Sequence, residues 1–173
     1  MIENYFPLFP VLKTTRFVLR QLTPNDEQEI FVLRSDEGVL KYLDIPKAKS
    51  LNDARKFIDK IYSGNNNNWW VYWAISFKNE SKLLGTICLW NISEDKTTAD
   101  IGFTLLPEFQ GKGIMQEVIR VVLNYGFIEM KLEKIQGEVS PGNVRSIQLL
   151  EKFGFTCTSE SENTLIYLLK NRS

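Results

Sequence analysis

The stretch from Asp100 to Glu117 (Asp-Ile-Gly-Phe-Thr-Leu-Leu-Pro-Glu-Phe-Gln-Gly-Lys-Gly-Ile-Met-Gln-Glu) constrains the fold more than any other part of the chain. A short apolar run leads into a glycine-bracketed turn, and an amphipathic segment follows at once. A turn of this kind exposes several backbone N–H groups at the first turn of a helix. Such fixed dipoles bind phosphate without a cationic side chain. The expectation is a strand, a turn that holds a phosphorylated ligand, and a helix, in that order.

Composition narrows the chemistry. The chain has no histidine, which excludes Ser-His-Asp and Cys-His catalysis and any zinc site with a histidine ligand. Cys88 and Cys157 are too few for a disulfide framework or a thiolate cluster, so no metal and a reduced, cytoplasmic setting are expected. Acid–base work falls to carboxylates, hydroxyls, tyrosine, lysine or water. Lys plus Arg and Asp plus Glu balance at 21 each, with no long run of either sign. A nucleic-acid grip needs clustered cations and is not expected. No apolar stretch approaches the roughly 20 residues of a membrane span, and the start of the chain has no secretory pattern. The length suits one domain over residues 1–173.

The pattern along the chain reads as α+β. Thr15 to Gln21 alternates as a strand, and Thr23-Pro-Asn-Asp26 opens a helix through Ile30, Phe31 and Leu33. Ser50-Leu-Asn-Asp53 opens a second helix carrying Ala54, Phe57, Ile58 and Ile61. Gly64 and the run Asn65 to Asn68 read as a solvated loop. Strands are expected over Trp69 to Phe77, Leu83 to Ile92 and Thr98 to Leu105, joined as an antiparallel meander by short polar breaks. In the first of these, alternation sets Trp69, Val71 and Trp73 on one face and Trp70 and Tyr72 on the other. That suits a strand buried on both sides, or else an aromatic wall for a ligand. After the turn, Ile114, Val118, Val121, Val122, Tyr125 and Ile128 share a helical face. A strand over Ile135 to Val139 follows. A helix from Asn143 to Phe153 comes next, with Asn143 as cap and Gly154 as stop, then a hairpin of Phe155 to Thr158 with Leu165 to Leu169.

Three known phosphate-binding turns can be set against this one. A Walker A loop needs Ser or Thr after its lysine, and Lys112 is followed by Gly113. A dinucleotide fingerprint needs three spaced glycines in an early βαβ unit, and only Gly111 and Gly113 are present, well along the chain. The Gln/Arg-x-x-Gly-x-Gly/Ala loop of the GNAT acyltransferases is matched by Gln110-Gly111-Lys112-Gly113-Ile114-Met115, apart from Met115 at the small-residue position.

Across nearly its whole length the chain resembles the GNAT superfamily, and within it the RimJ/RimL branch of ribosomal-protein N-terminal acetyltransferases. The marks are Thr15-Arg-Phe-Val-Leu-Arg20, Lys41-Tyr-Leu-Asp44, Ala99-Asp-Ile-Gly-Phe-Thr-Leu105 and Gly111-Lys-Gly-Ile-Met115. Asn143-x-x-Ser146, followed by Leu149-Leu-Glu-Lys-Phe-Gly-Phe155, completes them.

The resemblance implies a central mixed, mostly antiparallel sheet, splayed open at an acetyl-CoA site and flanked by about four helices. It implies transfer of the acetyl group of acetyl-CoA to a primary amine, by direct attack through a tetrahedral intermediate. The acceptor is a protein N-terminal amine or a small amine. A domain that senses acetyl-CoA without catalysis is the alternative.

By the same resemblance, the backbone of Phe103, Thr104 and Leu105 lies beside the pantetheine arm and acetyl group, where an N–H can donate to the thioester carbonyl. Gln110, Gly111, Lys112, Gly113, Ile114 and Met115 hold the pyrophosphate, with the Met115 side chain packed away from it. Asp100 stands where several relatives carry a glutamate that takes the amine's proton, and a strand-end charge is its simpler role. Asn143 reaches the coenzyme A arm, and Ser146 lies near the sulfur as a candidate proton donor. Both can equally be helix-capping groups. The position of a tyrosine acid in many relatives is Leu150 here. Tyr42 and the loop after it border the acceptor entrance. A homodimer is implied only by the pairing common among relatives.

Overall fold

A computed structural model of the chain describes residues 8–172. One eight-stranded sheet runs through it in the order β1-β2-β3-β4-β5-β6-β8-β7. The strands are β1 (Leu12–Lys13), β2 (Phe17–Arg20), β3 (Val71–Phe77), β4 (Gly85–Trp90), β5 (Thr98–Leu105), β6 (Lys134–Val139), β7 (Thr156–Glu160) and β8 (Leu165–Lys170). The helices are α1 (Glu27–Leu33), the single turn α2 (Glu37–Leu40), α3 (Leu51–Asn66), α4 (Ile114–Asn124) and α5 (Val144–Lys152). Among the described residues five α-helices flank the sheet, close to the expected number, the single turn α2 having no periodic signal of its own.

Strand alternation sorts side chains into two apolar layers. Phe17, Leu19, Val71, Trp73, Ile75, Ile87, Leu89, Ala99, Ile101 and Ile135 face α4 and α5. Ala74 and Tyr72 point the other way, with Leu22 and Leu83, onto α1 and α3. Each fully buried aliphatic side chain is worth about 1.5–3 kcal/mol. An exposed ion pair such as Lys82–Glu108 is worth about 0–1 kcal/mol. The two apolar layers, not surface charge, therefore hold the sheet.

Every neighbouring pair is antiparallel except β5 and β6. These two run parallel and pair only through Thr98–Lys134, Ala99–Ile135 and Asp100–Gln136. Beyond Asp100 they part, so the rest of β5 has a free edge. This opening is the expected splay.

Several expectations change. A two-residue strand, Leu12–Lys13, precedes the one read from Thr15, which itself spans only Phe17–Arg20. Trp69 lies before β3 rather than in it and is 59% exposed, while Val71 and Trp73 are buried. The supposed loop at Gly64 is helix, since α3 runs on through Asn66 and both Gly64 and Asn65 are buried. The Asn65 amide substitutes for a strand partner: its Oδ1 accepts from the Tyr72 N–H at 3.0 Å and its Nδ2 donates to the Tyr72 carbonyl at 3.4 Å. Gly64 is needed because a Cβ there would lie 2.0 Å from the Trp70 ring. Ile128 leaves the buried face and is 61% exposed, because the helix widens into a π-turn over Tyr125–Glu129 and the side-chain phase rotates.

Candidate active site

A cleft of about 700 Å³ lies where the splay meets the start of α4 and α5, and α2 borders it from the other side. Phe103, Thr104, Leu105, Gln110, Gly111, Gly113, Ile114, Met115, Asn143 and Ser146 line it together. Gly38, Val39, Tyr42 and Leu43 border it as well, along with Arg145 and Lys152. Lys112 and Asp100 are not lining residues. Lys112 turns its ammonium over the Phe109 ring, 5.7 Å from the centroid.

The turn is built as its glycines require. Gly111 and Gly113 both sit at φ +75°, a region that side-chain-bearing residues rarely adopt. Gly113 caps α4. The first bond of that helix runs from the Glu117 N–H to the Gly113 carbonyl at 3.3 Å, leaving the N–H groups of Ile114, Met115 and Gln116 outside the helical ladder. Met115 is 6% exposed and packs in the apolar layer, while the residue still borders the cleft.

An acid in the first turn of α4 would repel an anionic ligand, yet Glu117 is held aside. It accepts from the Thr14 hydroxyl at 2.7 Å, the Arg16 N–H at 2.9 Å and the Arg16 Nε at 2.7 Å. Burial alone would raise the Glu117 carboxyl, but these bonds together hold it below its ordinary value.

Gln110 locks the turn to the strand before it: its Nε2 donates to the Leu105 carbonyl at 3.1 Å. Its Oε1 accepts from Arg145 Nη1 at 3.3 Å. Arg145 is the residue that sequence reasoning passed over. It has no carboxylate partner among the described residues, and its guanidinium lies 4.0 Å from where a Cβ at Gly111 would stand. The available signal was a cation in the first turn of a helix, where the dipole disfavours one.

The free edge of β5 supplies further donors. The Leu106 N–H bonds the Leu84 carbonyl on the β4 side. By antiparallel alternation, the N–H groups of Phe103 and Leu105 therefore point to the opposite edge, which β6 has left.

Asn143 caps α5, its Oδ1 accepting from the Ser146 N–H at 3.3 Å, and both residues also line the cleft. Leu150 is 2% exposed and would touch any Cβ added at Gly137, so the helix offers no acid there. Asp100 sits at the last paired position of the splay, on the sheet face opposite Ile101 and Phe103. Its carboxylate accepts from Asn91 Nδ2 at 3.1 Å. Burial, with a smaller push from Glu138, raises the Asp100 carboxyl above the ordinary aspartate value against the lowering effect of Asn91. Cys157 is exposed, with its thiol on the Ser159 carbonyl at 3.5 Å.

The profile of the acetyltransferase (GNAT) domain matches residues 16–156. The chain belongs to this family. A Bacillus subtilis relative, the uncharacterized N-acetyltransferase YoaA, is 32% identical over 148 residues, covering 86% of this chain and 84% of its own. Vibrio cholerae spermidine N(1)-acetyltransferase is 25% identical over 141 residues, or 82% of this chain and 79% of its own. Among solved structures, the ribosomal L7/L12 α-N-protein acetyltransferase RimL in complex with coenzyme A superposes with a TM-score of 0.82 at 18% identity. It covers 94% of this chain and 98% of that one. The GNAT fold and acetyl-CoA-dependent acyltransferase activity follow from this membership. None of the described helices is long and apolar enough to cross a membrane.

Proposed function

We propose that the protein moves the acetyl group of acetyl-CoA onto a primary amine by direct attack of the nitrogen on the thioester. The observation that carries this reading is the junction of two sets of unused main-chain donors. One set opens α4 behind two glycines at φ +75°, and the other lies on the free edge of β5. The first set suits a diphosphate. The second suits the carbonyl oxygen that becomes negative during attack.

Gln110, Gly111, Gly113, Ile114, Met115 and Arg145 take the diphosphate in this reading, with Lys112 contributing through its backbone. Asn143 and Ser146 flank the arm. Asp100 receives the amine's proton from the far face of β5, directly or through water, and its raised pKa brings it nearer to that task. With Leu150 buried, the thiolate takes its proton from Ser146 or water, which suffices for a leaving group with a pKa of about 8.5.

The names of similar proteins point to both a protein N-terminal amine and a polyamine as acceptors, so the acceptor follows from the site and not from the fold. Isothermal titration with acetyl-CoA, ATP and NAD, followed by thiol release in the presence of amines, tests the reading. Tightest binding of acetyl-CoA and amine-stimulated thiol release are expected. Binding without any stimulation would leave a sensor domain instead.

A further inference from the structure

We infer that the acceptor is a primary monoamine with an uncharged, apolar body beside its nitrogen, and not a polycation. This rests on the acetyl-transfer reading above and names the substrate class for the same site.

The cleft carries charge of one sign only. None of its lining residues among those described is Asp or Glu, and its ionic side chains are Arg145 and Lys152, both on α5. These suit an anionic cofactor and repel a further ammonium in the same space. A second positive charge on the acceptor would leave water there with no carboxylate to receive it.

The wall that α2 and the segment after it bring to the cleft is apolar and already in place. Asp36 caps the turn, its Oδ1 accepting from the Val39 N–H at 2.9 Å, and the Leu43 N–H bonds the Leu40 carbonyl at 3.0 Å. Ser140 Oγ donates to the Tyr42 carbonyl at 3.2 Å, and the Tyr42 ring lies 3.3 Å from where a Cβ at Gly142 would stand. The segment is thereby tied to the loop between β6 and α5. Its charged side chains do not line the cleft. Asp36 is engaged in the cap, Glu37 faces Lys47 at 3.7 Å, and the Lys41 ammonium sits 5.2 Å from the centre of the Tyr42 ring. Asp44 is exposed and outside the lining. The segment shows the cleft Val39, Tyr42 and Leu43 instead, and Leu43 is 37% exposed. An apolar group laid against this wall removes both surfaces from water.

The wall and Asp100 share one face of the sheet. Val39 packs in the α1–α3 layer, and strand alternation turns Asp100, Gly102 and Thr104 to that same face. Thr104 lines the cleft, and between it and Asp100 on this face stands only Gly102, which carries no side chain. All three residues are partly exposed, and the Trp90 indole beside Gly102 is 44% exposed, so this strip is accessible surface and not core. An amine approaching along it meets the Trp90 indole and the α2 wall, and Asp100 receives its one charge. Glu138 shares the face by register, but it is exposed beyond the last β5–β6 pair and outside the lining. A second ammonium would have to rely on an acid of that kind, placed in water and away from the cleft.

The test is thiol release from acetyl-CoA with matched amines in two arms. In the first, hexylamine and 1,6-diaminohexane differ by one ammonium, and hexylamine and ethylamine by apolar length. The second holds C-terminally amidated peptides that begin with Leu, Lys or Ser, and the arm that reacts tells a free amine from a peptide N-terminus. In that arm kcat/KM should be at least about tenfold higher for the apolar member than for the other two. Leu43→Asp should shrink the preference from both ends, slowing the apolar member and speeding the doubly charged one. Leu43→Asn should slow the apolar member alone, and Glu138→Gln should leave the ranking as it is. A diamine or Lys peptide that reacts as fast as its apolar partner, or whose rate falls in Glu138→Gln, would overturn the inference. So would equal rates for hexylamine and ethylamine together with equal rates for the Leu and Ser peptides. Failure of acetyl-CoA to bind, or thiol release indifferent to every amine, would instead overturn the acetyl-transfer reading beneath it.

Discussion

The two faces of the splayed sheet do their work by different means. On the α4–α5 side, the half proposed for the acetyl donor is made of main chain: glycines at φ +75°, the unladdered N–H groups of α4, and the free edge of β5. On the α1–α3 side, the half proposed for the acceptor is made of side chains brought from distant segments: Val39, Thr104 and Asp100. A main-chain site depends on a few residues that permit one backbone path. A side-chain site depends on each group keeping its own atoms. Mutations on the first side should therefore act by blocking the path, and on the second by deleting a function.

The largest effect expected is on the donor side. Gly113→Asp puts a side chain at φ +75° and a negative charge on an anion site, and should remove measurable acetyl-CoA binding by calorimetry. Retained affinity would break the contrast at its strongest point. Next, Asp100→Asn should lower turnover by about 100-fold while acetyl-CoA affinity holds. Because burial raises the Asp100 carboxyl, the acid limb of the wild-type rate profile should lie above the ordinary aspartate range and vanish in the variant. The sign for stability is opposite to that for activity. A carboxyl raised in the folded state favours folding only while protonated and loses that contribution as pH rises through the folded pKa. Asp100→Asn should accordingly be no less stable than the wild type at neutral pH in urea denaturation.

Gly64→Ala sharpens the comparison from the scaffold. Its Cβ would meet the Trp70 ring, whose Nε1 donates to the Ile61 carbonyl at 3.1 Å. A loss of about 2 kcal/mol in urea denaturation is expected, with acetyl-CoA affinity of the folded protein unchanged. Arg145→Ala is the smallest of the set. Loss of one charged contact at the diphosphate should weaken acetyl-CoA by about tenfold, and more so at low salt.

The same division explains what the sequence could tell. Gly111, Gly113 and Asn143 were legible because backbone geometry and capping leave local marks within a few residues. Asn65 was not: a run of asparagines reads as solvated loop, and nothing nearby announces that one amide will pair with the Tyr72 backbone. Ile128 misled for a related reason, since a π-turn shifts the helical phase without a breaker residue. Trp69 looked like strand because alternation fixes a pattern but not where pairing begins. Asp100 was placed on its strand, yet its position at the last paired step of the splay needed the register of β5 with β6. Arg34 at the end of α1 and Phe57 of α3 are brought together only by the packing of the two helices, which no local pattern encodes.

The central claim is that unladdered main-chain donors, with Arg145 in a supporting part, hold the diphosphate of acetyl-CoA. A crystal structure of the acetyl-CoA complex tests it most directly. The diphosphate oxygens should lie about 3 Å from N–H groups between Gly111 and Gln116, with the thioester between β5 and β6. A diphosphate held by lysines elsewhere on the surface, or a cleft left empty at saturating acetyl-CoA, would contradict it.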